Sequence, residues 1–371
     1  MKKENLQKIT ELRHELHRYP ELSMQEKETA RMIRNFLCDN TSLEIVDRGA
    51  WFYAVRKGRS GEESIAFRAD MDALPMEGNR ALPYHSLREG VSHQCGHDGH
   101  AAALCGLALE LEEILSERTV YLIFQPGEET GQGALLCREL IREKGIAGVY
   151  AFHNLGGYPE RSIVYRPGLT QPSSEGLKLH SHGKTSHASA PHEGRNPAQI
   201  MSKTVLFAEE LLHKSWKGDV LCTVTGVRLG TGDFGISPGE GELCMTLRAE
   251  RESELKQFEE EILKYAGALS EEAGVKTDSS IHDYFPETRN DDGSLAKILR
   301  AAEELHMKTV RMDSMWRASE DFGWYLKECP GAMVYIGSGE DYPALHTDAY
   351  DFNDGILETA VDLFVRLAVG E

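Results

Sequence analysis

Residues 93–109 read HQCGHDGHAAALCGLAL. The first eight carry five side chains that can bind a metal ion, namely His93, Cys95, His97, Asp98 and His100. Thiolate, imidazole and carboxylate ligands together suit a borderline divalent ion such as zinc. The small apolar residues that follow predict a helix packed tightly on a sheet. Gly96 and Gly99 would let the backbone turn closely around a bound group.

This stretch does not establish a metal site alone. A Cys-x-His pair is more commonly a buried thiol beside a surface histidine. The sequence has no second Cys/His pair at the spacing of a zinc finger. A metal site therefore needs donors from elsewhere in the chain.

The composition indicates a globular protein of two domains. The chain has 371 residues, with 41 basic and 60 acidic side chains and a net charge of −19. This charge argues against nucleic acid and anionic membranes as partners. Seven cysteines, an odd number, favour free thiols in a reducing compartment. The polar N-terminus has no apolar signal core, and the apolar run 101–109 is too short to cross a bilayer, so we expect a cytoplasmic protein.

The N-terminal part of the chain alternates predicted strands and helices. Apolar spacing predicts helices over 4–18, 24–37, from the central motif to about 116, and over 134–144. Strands are predicted over 43–47, 51–56, 64–68, 119–125 and 148–152. The run 119–125 is typical of a strand buried on both faces. This alternation predicts an α/β domain with a largely parallel sheet.

Four polar residues come directly after the ends of these predicted strands: Asp70, Glu128, Glu129 and His153. Ligand sites of open α/β sheets form at the carboxyl edge of the strands. We therefore expect these side chains to meet at one edge of the sheet, beside the central motif.

From about residue 173 the pattern changes to a βαββαβ order. The predicted strands cover 175–182, 220–229, 241–250 and 276–285, and the predicted helices cover 197–213 and 252–273. This order predicts a ferredoxin-like unit, flanked by Pro167, Pro172 and Pro286. We predict a metal-binding catalytic domain of 1–172 and 286–371, and an inserted lid or dimerisation domain of 173–285.

After the insert, the α/β pattern resumes. A helix over 294–305, a strand over 332–336 and a last helix over 354–369 are predicted, and the loop after the strand contains His346. Residues 319–322 (SEDF) are predicted to cap a further helix.

Five donors are thus expected at the site edge: Cys95, His97, Glu129, His153 and His346. Two divalent ions need about this many protein ligands once one ligand bridges them. Neighbouring residues in a loop can point differently, so Glu129 can bind metal while Glu128 stays free as a base. A Glu-Glu pair is usually solvated, but this pair follows a buried strand and Pro126-Gly127.

Seven motifs make the chain similar to a known family over nearly its whole length. They are 14–22 (HELHRYPEL), 67–75 (FRADMDALP), 95–100 (CGHDGH), 124–129 (FQPGEE), 152–154 (FHN), 183–188 (GKTSHA) and 345–350 (LHTDAY). Together they resemble the aminoacylase and carboxypeptidase metallopeptidase family. The resemblance is closest to its amidohydrolase branch, which contains indole-acetyl-amino-acid hydrolases, hippurate hydrolases and N-acetyl-diaminopimelate deacetylases.

The resemblance implies residue roles. Cys95 would bridge two divalent ions per subunit, for which zinc, manganese, cobalt and nickel are all suitable. The other protein ligands would be His97, Glu129, His153 and His346. Asp70 would orient one of the metal ligands without binding metal itself. Glu128 would act as general base and acid. On the insert, His187 would reach across a homodimer to hold the substrate's carbonyl or oxyanion, and Asn196 could bind substrate or cap the following helix.

The implied reaction is hydrolysis of an N-acyl amino acid to a free amino acid and a carboxylic acid by metal-activated water, with Glu128 as base. The nearest alternative is a dipeptidase or carboxypeptidase acting on short peptides. A cysteine hydrolase with Cys95 as nucleophile is another, but His97 is poorly placed as its base in a tight glycine turn. A non-catalytic binding protein is a third, although a binding site alone needs no free base.

Some residues depart from the family pattern. Gly127 and the segment 130–132 (TGQ) stand where most of the branch has alanine and a run of glycines, and Gln94 stands where alanine is usual. These changes line the site and bear on the choice of substrate. The motifs give no role to His93, His100 or His192, which we expect behind the ligands or on the surface.

Overall fold

The computed structural model describes residues 1–59, 63–114 and 116–370. In chain order, the strands are β1 Glu44–Asp47, β2 Phe52–Arg56, β3 Ser64–Asp70, β4 Thr119–Gln125, β5 Gly148–Gly156, β6 Ile163–Tyr165, β7 Leu169–Gln171, β8 Ser173–His182, β9 Ser186–His187, β10 Val220–Leu229, β11 Ile236–Ser237, β12 Glu240–Ala249, β13 Lys276–Phe285, β14 Thr288–Arg289, β15 Thr309–Arg311 and β16 Gly331–Gly339. The helices are α1 Lys3–Arg18, α2 Lys27–Asn40, α3 His97–Leu111, α4 Gly133–Cys137, α5 Glu139–Lys144, α6 Ala198–Leu212, α7 Glu252–Ala273, α8 Asp292–Glu304, α9 Gly323–Leu326 and α10 Leu357–Val369.

The chain divides into two compact units. The first comprises Met1–Thr170, Thr288–Trp316 and Glu320–Glu371, and the second comprises Gln171–Glu287 and Arg317–Ser319. The predicted domain limits, and the lid or dimerisation role of the insert, stay predictions. No helix within the described ranges has the length and hydrophobicity that a bilayer crossing requires.

The first unit is built on a large sheet with the strand order β1-β2-β4-β3-β5-β16-β6-β15. The central pairs β4-β3, β3-β5 and β5-β16 are parallel. The pairs β1-β2, β2-β4 and β16-β6 are antiparallel. The predicted α/β class with a mainly parallel sheet is confirmed.

Helices cover both faces of this sheet. Ile65 and Phe67 of β3 pack in a core shared with α1, α3 and α10, whereas Ala66 packs in a second core with α4 and α5. Successive side chains of a strand point to opposite faces, so central strands must be apolar at nearly every position. Helix α3 packs against α1, α10 and β3 and is buried along almost its whole length.

The second unit contains an antiparallel sheet with the order β10-β12-β8-β13. Helices α6 and α7 pack on one face of it, against Leu177 and Leu179 of β8 and Leu243 and Met245 of β12. The βαββαβ order predicted for this segment is confirmed.

Some predicted elements need correction. The helix predicted from residue 24 begins at Lys27, because Met24 has φ +66° and the chain still turns there. The helix predicted over 134–144 is two helices that meet at Arg138. The short strands β6 and β15 were not predicted, since three residues are too few to show an alternation.

The prediction that residues 319–322 cap a helix by a side chain is wrong. Helix α9 begins after Phe322 without a side-chain cap. The carboxylates of Glu320 and Asp321 instead contact the Arg68 guanidinium, at 3.0 and 2.9 Å. A buried cation thus engages the two acidic side chains that the capping pattern had assigned to a helix end.

Candidate metal centre

The carboxyl ends of neighbouring strands bring the predicted donors together. Asp70 pairs with Gln125 in the parallel register of β3 and β4, and His153 pairs with Tyr335 in β5 and β16. Asp70 ends β3 and His153 lies inside β5, whereas both were expected just after a strand. Both residues nevertheless lie toward the carboxyl ends of their strands, as predicted. His153 falls inside β5 only since this strand continues beyond it to Gly156.

The loop after β4 presents Glu128 and Glu129. Gly127 has φ +55°, and its N–H donates to Glu26 Oε1 at 2.7 Å. The Gly131 N–H donates to the Glu128 carbonyl at 2.8 Å, and the Gly133 N–H donates to the Gly127 carbonyl at 3.2 Å. These bonds fix a short turn that carries both carboxylates into the site.

Helix α3 begins at the site. Gly96 has φ +96°, and an added Cβ would lie 2.4 Å from Asn154 Oδ1, so only glycine fits this turn. His97 is the first helical residue. The expectation that Gly99 also shapes a turn is wrong: Gly99 lies within α3, and an added Cβ there would lie 2.4 Å from the Phe352 ring.

The five predicted ligands lie together. Cys95 Sγ is 3.4 Å from His153 Nε2, and His346 Nε2 is 3.4 Å from Glu129 Oε1. His97 Nε2 lies 3.9 Å from Glu129 Oε1 and 3.9 Å from Glu128 Oε2. The donor atoms form two groups, each within 4.8 Å, that share Cys95: one with His97 and His153, the other with Glu129 and His346.

Backbone and carboxylate oxygens orient the two buried imidazoles. His97 Nδ1 lies 3.0 Å from the Asp72 carbonyl and 3.1 Å from Asp72 Oδ1. His153 Nδ1 lies 2.7 Å from the Asn154 carbonyl. Because these oxygens accept hydrogen bonds, each Nδ1 carries a proton and each Nε2 is directed at the site. Metal-binding histidines are commonly held in this way.

Asp72 also reaches the loop of the two glutamates. Its Oδ2 accepts hydrogen bonds from Ser23 Oγ at 2.7 Å and from the Glu129 N–H at 2.9 Å. One buried carboxylate therefore couples the orientation of His97 to the position of Glu129. No role for Asp72 was predicted, although it lies in a motif that carried the family resemblance.

Charge and burial shift the pKa values of the site in opposite directions. Burial, together with Glu320 and Glu129, raises the pKa of Glu128 well above its ordinary value. Burial also raises the pKa of the Cys95 thiol, and the charges of Glu129 and Glu128 add to the effect. Burial and His100 hold the pKa of His153 well below its ordinary value. Burial opposes the charge on His97, but Asp70 and Asp72 outweigh it and raise its pKa to about 10.

These observations fit a bound cation. His97 Nε2 and Glu129 Oε1 are buried and have no hydrogen-bond partner among the described residues. Several buried carboxylates surround them, and a buried negative charge is costly unless a cation compensates it. A buried thiol whose pKa is raised does not suit a cysteine nucleophile, which must react as the thiolate. Thiolate, imidazole and carboxylate donors suit borderline divalent metals.

Residues 66–369 match the sequence model of peptidase family M20/M25/M40. The chain belongs to this family. Among M20 relatives, it is 29% identical to N-acetylcysteine deacetylase of Bacillus subtilis (strain 168), over 98% of this chain and 96% of that protein. It is 28% identical to hippurate hydrolase of Campylobacter jejuni, over 96% of this chain and 95% of that protein.

A solved M20 structure has the same fold. It is a Bacillus subtilis protein described as a dinuclear metal binding peptidase from the M20 family, with a TM-score of 0.82 and 27% identity. The alignment covers 99% of this chain and 98% of that one. The expected resemblance and the class of hydrolase are thereby confirmed, and the M20 family indicates divalent metal ions at the site.

Two predicted substrate residues lie in the second unit. His187 is exposed in β9. Its Nδ1 accepts a hydrogen bond from the Ser189 N–H at 3.1 Å, and the same atom lies 2.7 Å from Ser189 Oγ. Asn196 Oδ1 accepts from the Ala198 N–H at 2.9 Å, at the first residue of α6. Helix α6 begins after Pro197 without a side-chain cap, so Asn196 forms a turn before the helix rather than its cap, and its role in substrate binding stays a prediction.

The histidines without a predicted role differ in their surroundings. His100 is buried, with Nδ1 2.6 Å from Asp70 Oδ1 and Nε2 2.7 Å from Asn154 Oδ1. His192 is exposed. His93 is buried, and burial lowers its pKa to about 4. Asp70 thus contacts His100 directly, whereas its Oδ2 lies 3.8 Å from the predicted ligand His97.

Besides Asp72, sequence reasoning missed two further supports of the site. Arg68 is buried and donates to Asp70 Oδ2 at 2.7 Å; an arginine within a buried strand was the available signal. Gln94 holds the turn at His346, which has φ +59°. The His346 N–H donates to the Gln94 carbonyl at 2.8 Å, and Gln94 Nε2 donates to the Thr347 carbonyl at 2.7 Å.

Proposed function

We propose that the protein is a metal-dependent amidohydrolase that cleaves N-acyl amino acids to a free amino acid and a carboxylic acid. The observation that carries the proposal is the position of Glu128. This buried carboxylate, with a raised pKa, stands beside two groups of metal-binding side chains. Names of two M20 relatives, a deacetylase of N-acetylcysteine and a hippurate hydrolase, support the substrate class.

Two divalent ions per subunit are proposed as cofactors, drawn from zinc, manganese, cobalt and nickel. Cys95 would bridge them, with the other ligands being His97, Glu129, His153 and His346. Bound ions polarise an acyl carbonyl and make water a stronger acid. The dinuclear M20 structure of the same fold supports this number of ions.

The chain's own residues account for the proton transfers. Glu128 takes a proton from the attacking water and later gives it to the leaving amine. A carboxyl whose pKa lies well above its ordinary value can hold that proton between the two steps. Asp72 keeps His97 Nε2 directed at the reacting centre. Asp70 is proposed to orient the site without binding metal itself, through its contacts with Arg68 and His100.

Glu128→Gln tests the proposal. The variant keeps all five proposed ligands and loses the base, so we expect kcat to fall by at least ~10²-fold with unchanged metal content. Glu139→Gln changes an exposed glutamate of α5 and should leave both unchanged. Near-normal turnover by Glu128→Gln would reject the assignment.

Short peptides are the second candidate substrate, because the dinuclear M20 structure is described as a peptidase. Peptide hydrolysis would use the same chemistry, but the pocket that binds the substrate would differ. A panel of N-acetyl and N-aromatic-acyl amino acids against dipeptides distinguishes the two. The cytoplasm is the proposed location, and the seven cysteines, all free, support it.

We also propose a homodimer in which His187 serves the partner's site. In the second unit, β10 is an edge strand that exposes Leu221, Val224 and Val227, and α6 exposes 64% of Leu206. An apolar edge of this kind favours pairing with a second copy. The Ser189 N–H can only donate, so neutral His187 carries its proton on Nε2, where it can donate to a substrate oxyanion.

Complementation tests the shared site. Glu128→Ala and His187→Ala homodimers should each be nearly inactive. After mixing and exchange, half of the dimers are hybrids, and each hybrid has one intact site, so activity should return to about a quarter of wild type. His192→Ala, at an exposed neighbour, should stay active without mixing. Verified hybrids without activity would place His187 outside the partner's site.

A further inference from the structure

The second unit carries a group of metal-binding side chains on the outer face of its sheet. In β8 the odd-numbered residues from Leu177 onward are buried against α6 and α7, and the even-numbered ones face outward. His180 and His182 are therefore neighbours on the outer face, with ring centroids 4.1 Å apart. The paired strands place Glu240 opposite His182 and Asp278 opposite His180.

Three of these side chains aim donor atoms at one point. Glu240 Oε2 lies 3.2 Å from His180 Nε2 and 2.9 Å from His182 Nδ1. The donor atoms of all three residues lie within 4.8 Å of one another. Two imidazoles and a carboxylate on adjacent strands supply three of the four ligands of a tetrahedral zinc site, with the fourth position left for water.

The second ring nitrogen of His182 supports the same interpretation. His182 Nε2 lies 3.4 Å from Asp278 Oδ2. A metal-binding histidine usually donates its other N–H to a carboxylate, which fixes the ring and makes the ligand more basic. His182 would therefore bind through Nδ1 and donate from Nε2 to Asp278.

The neighbouring acidic side chains form ion pairs with lysines, which leaves Glu240 as the carboxylate that can bind the metal ion. Glu242 pairs with Lys178, and Asp278 accepts from Lys276 Nζ at 2.7 Å. Glu240 instead faces the two imidazoles. Lys276 keeps Asp278 from becoming a primary ligand, which is consistent with a supporting position.

We propose that His180, His182 and Glu240 form a separate site for a divalent transition-metal ion, with Asp278 orienting His182. Zinc is one ion that this donor set suits. Magnesium and calcium prefer oxygen donors and are disfavoured by the two imidazoles. The site has no thiolate and its residues are at least partly exposed, so it binds more weakly than the buried Cys95 centre.

Zinc counting on the full-length protein tests the site independently of catalysis. Chelator-treated protein is dialysed against increasing zinc sulfate, and bound zinc per chain is measured by elemental analysis. We expect the double variant His180→Asn/His182→Asn to bind one zinc fewer than wild type at saturation. His213→Asn, at an exposed histidine of the same unit, should match wild type.

Two single variants keep the test decisive if the double variant folds poorly. Glu240→Gln preserves size and should weaken the extra site. Asp278→Asn should weaken it by about 10- to 100-fold, the usual effect of losing a supporting carboxylate. Cys95→Ala should leave this ion in place. Equal zinc binding by wild type, the double variant and Glu240→Gln would overturn the proposal, whether or not the protein proves to be an amidohydrolase.

Discussion

The surroundings of Glu26 predict how its replacement changes the free energy of unfolding, and by roughly how much. The side chain is 4% exposed, and its Oε1 accepts N–H bonds from Gly127 at 2.7 Å and Met24 at 2.9 Å. Burial and the charge of Asp72 raise its pKa from 4.5 to about 7, in spite of these bonds. Glu26 therefore fixes the loop of Glu128 but is poorly accommodated as an anion.

The sign of the effect follows from proton linkage. Between pH 4.5 and about 7 the folded state binds more protons at Glu26 than the unfolded state, so stability falls as pH rises through this range. Each pKa unit corresponds to about 1.4 kcal/mol. The difference of roughly 2.5 units amounts to a penalty of about 3 kcal/mol above pH 7 and almost none below pH 4.5.

Glu26→Gln should remove this penalty while its amide oxygen accepts the same two N–H bonds. Urea unfolding of chelator-treated protein should show a variant more stable than wild type by about 3 kcal/mol at pH 8, with little difference near pH 4.5. Glu28→Gln, in the first turn of α2, is the control: the bond with Arg31 lowers the pKa of Glu28, so no gain is expected at pH 8. A Glu26→Gln variant that loses stability at pH 8, or changes equally at both pH values, would refute the reasoning.

Two further predictions concern α3 and the turn that leads into it. Cys95→Ala should reduce both bound metal and activity, measured by elemental analysis and turnover; an acyl adduct on Cys95 in the wild type, detected by mass spectrometry, would contradict the metal assignment. Gly99→Ala should lower stability by about 1–3 kcal/mol, because the new Cβ overlaps the Phe352 ring. In a thermal melt Gly267→Ala, with open space around it in α7, should be neutral or stabilising.

Elements with strong local patterns could be predicted to the residue. The predicted bounds of β4, β10, α7 and β13 agree with the structure. A continuous apolar run marks β4 and helical spacing of apolar residues marks α7. The three-residue strands β6 and β15 pair with each other in parallel across more than a hundred residues of sequence. Such strands are defined by distant partners, so no local pattern could reveal them.

For the site, sequence could predict which residues converge but not what holds them. Five donors were expected at the carboxyl edge, and they lie there, although their roles as ligands stay predictions. The supports depend on geometry that no spacing encodes: Gln94 bonds the backbone around His346, and Asp72 bridges His97 and the Glu129 N–H. Gly99 was misassigned because glycine in a turn and glycine at a close helix contact look the same in sequence.

Burial and nearby charges determine the direction in which the pKa of Glu128 is shifted. Asp70, Glu320 and Asp321 contact Arg68 at 2.7, 3.0 and 2.9 Å, so three carboxylates share one guanidinium. Burial, and then Glu320, raise the pKa of Glu128 and outweigh the opposing effect of the Arg68 charge. A group that accepts a proton and later returns it needs a raised pKa. The charge arrangement is therefore consistent with the proposal that Glu128 carries the proton.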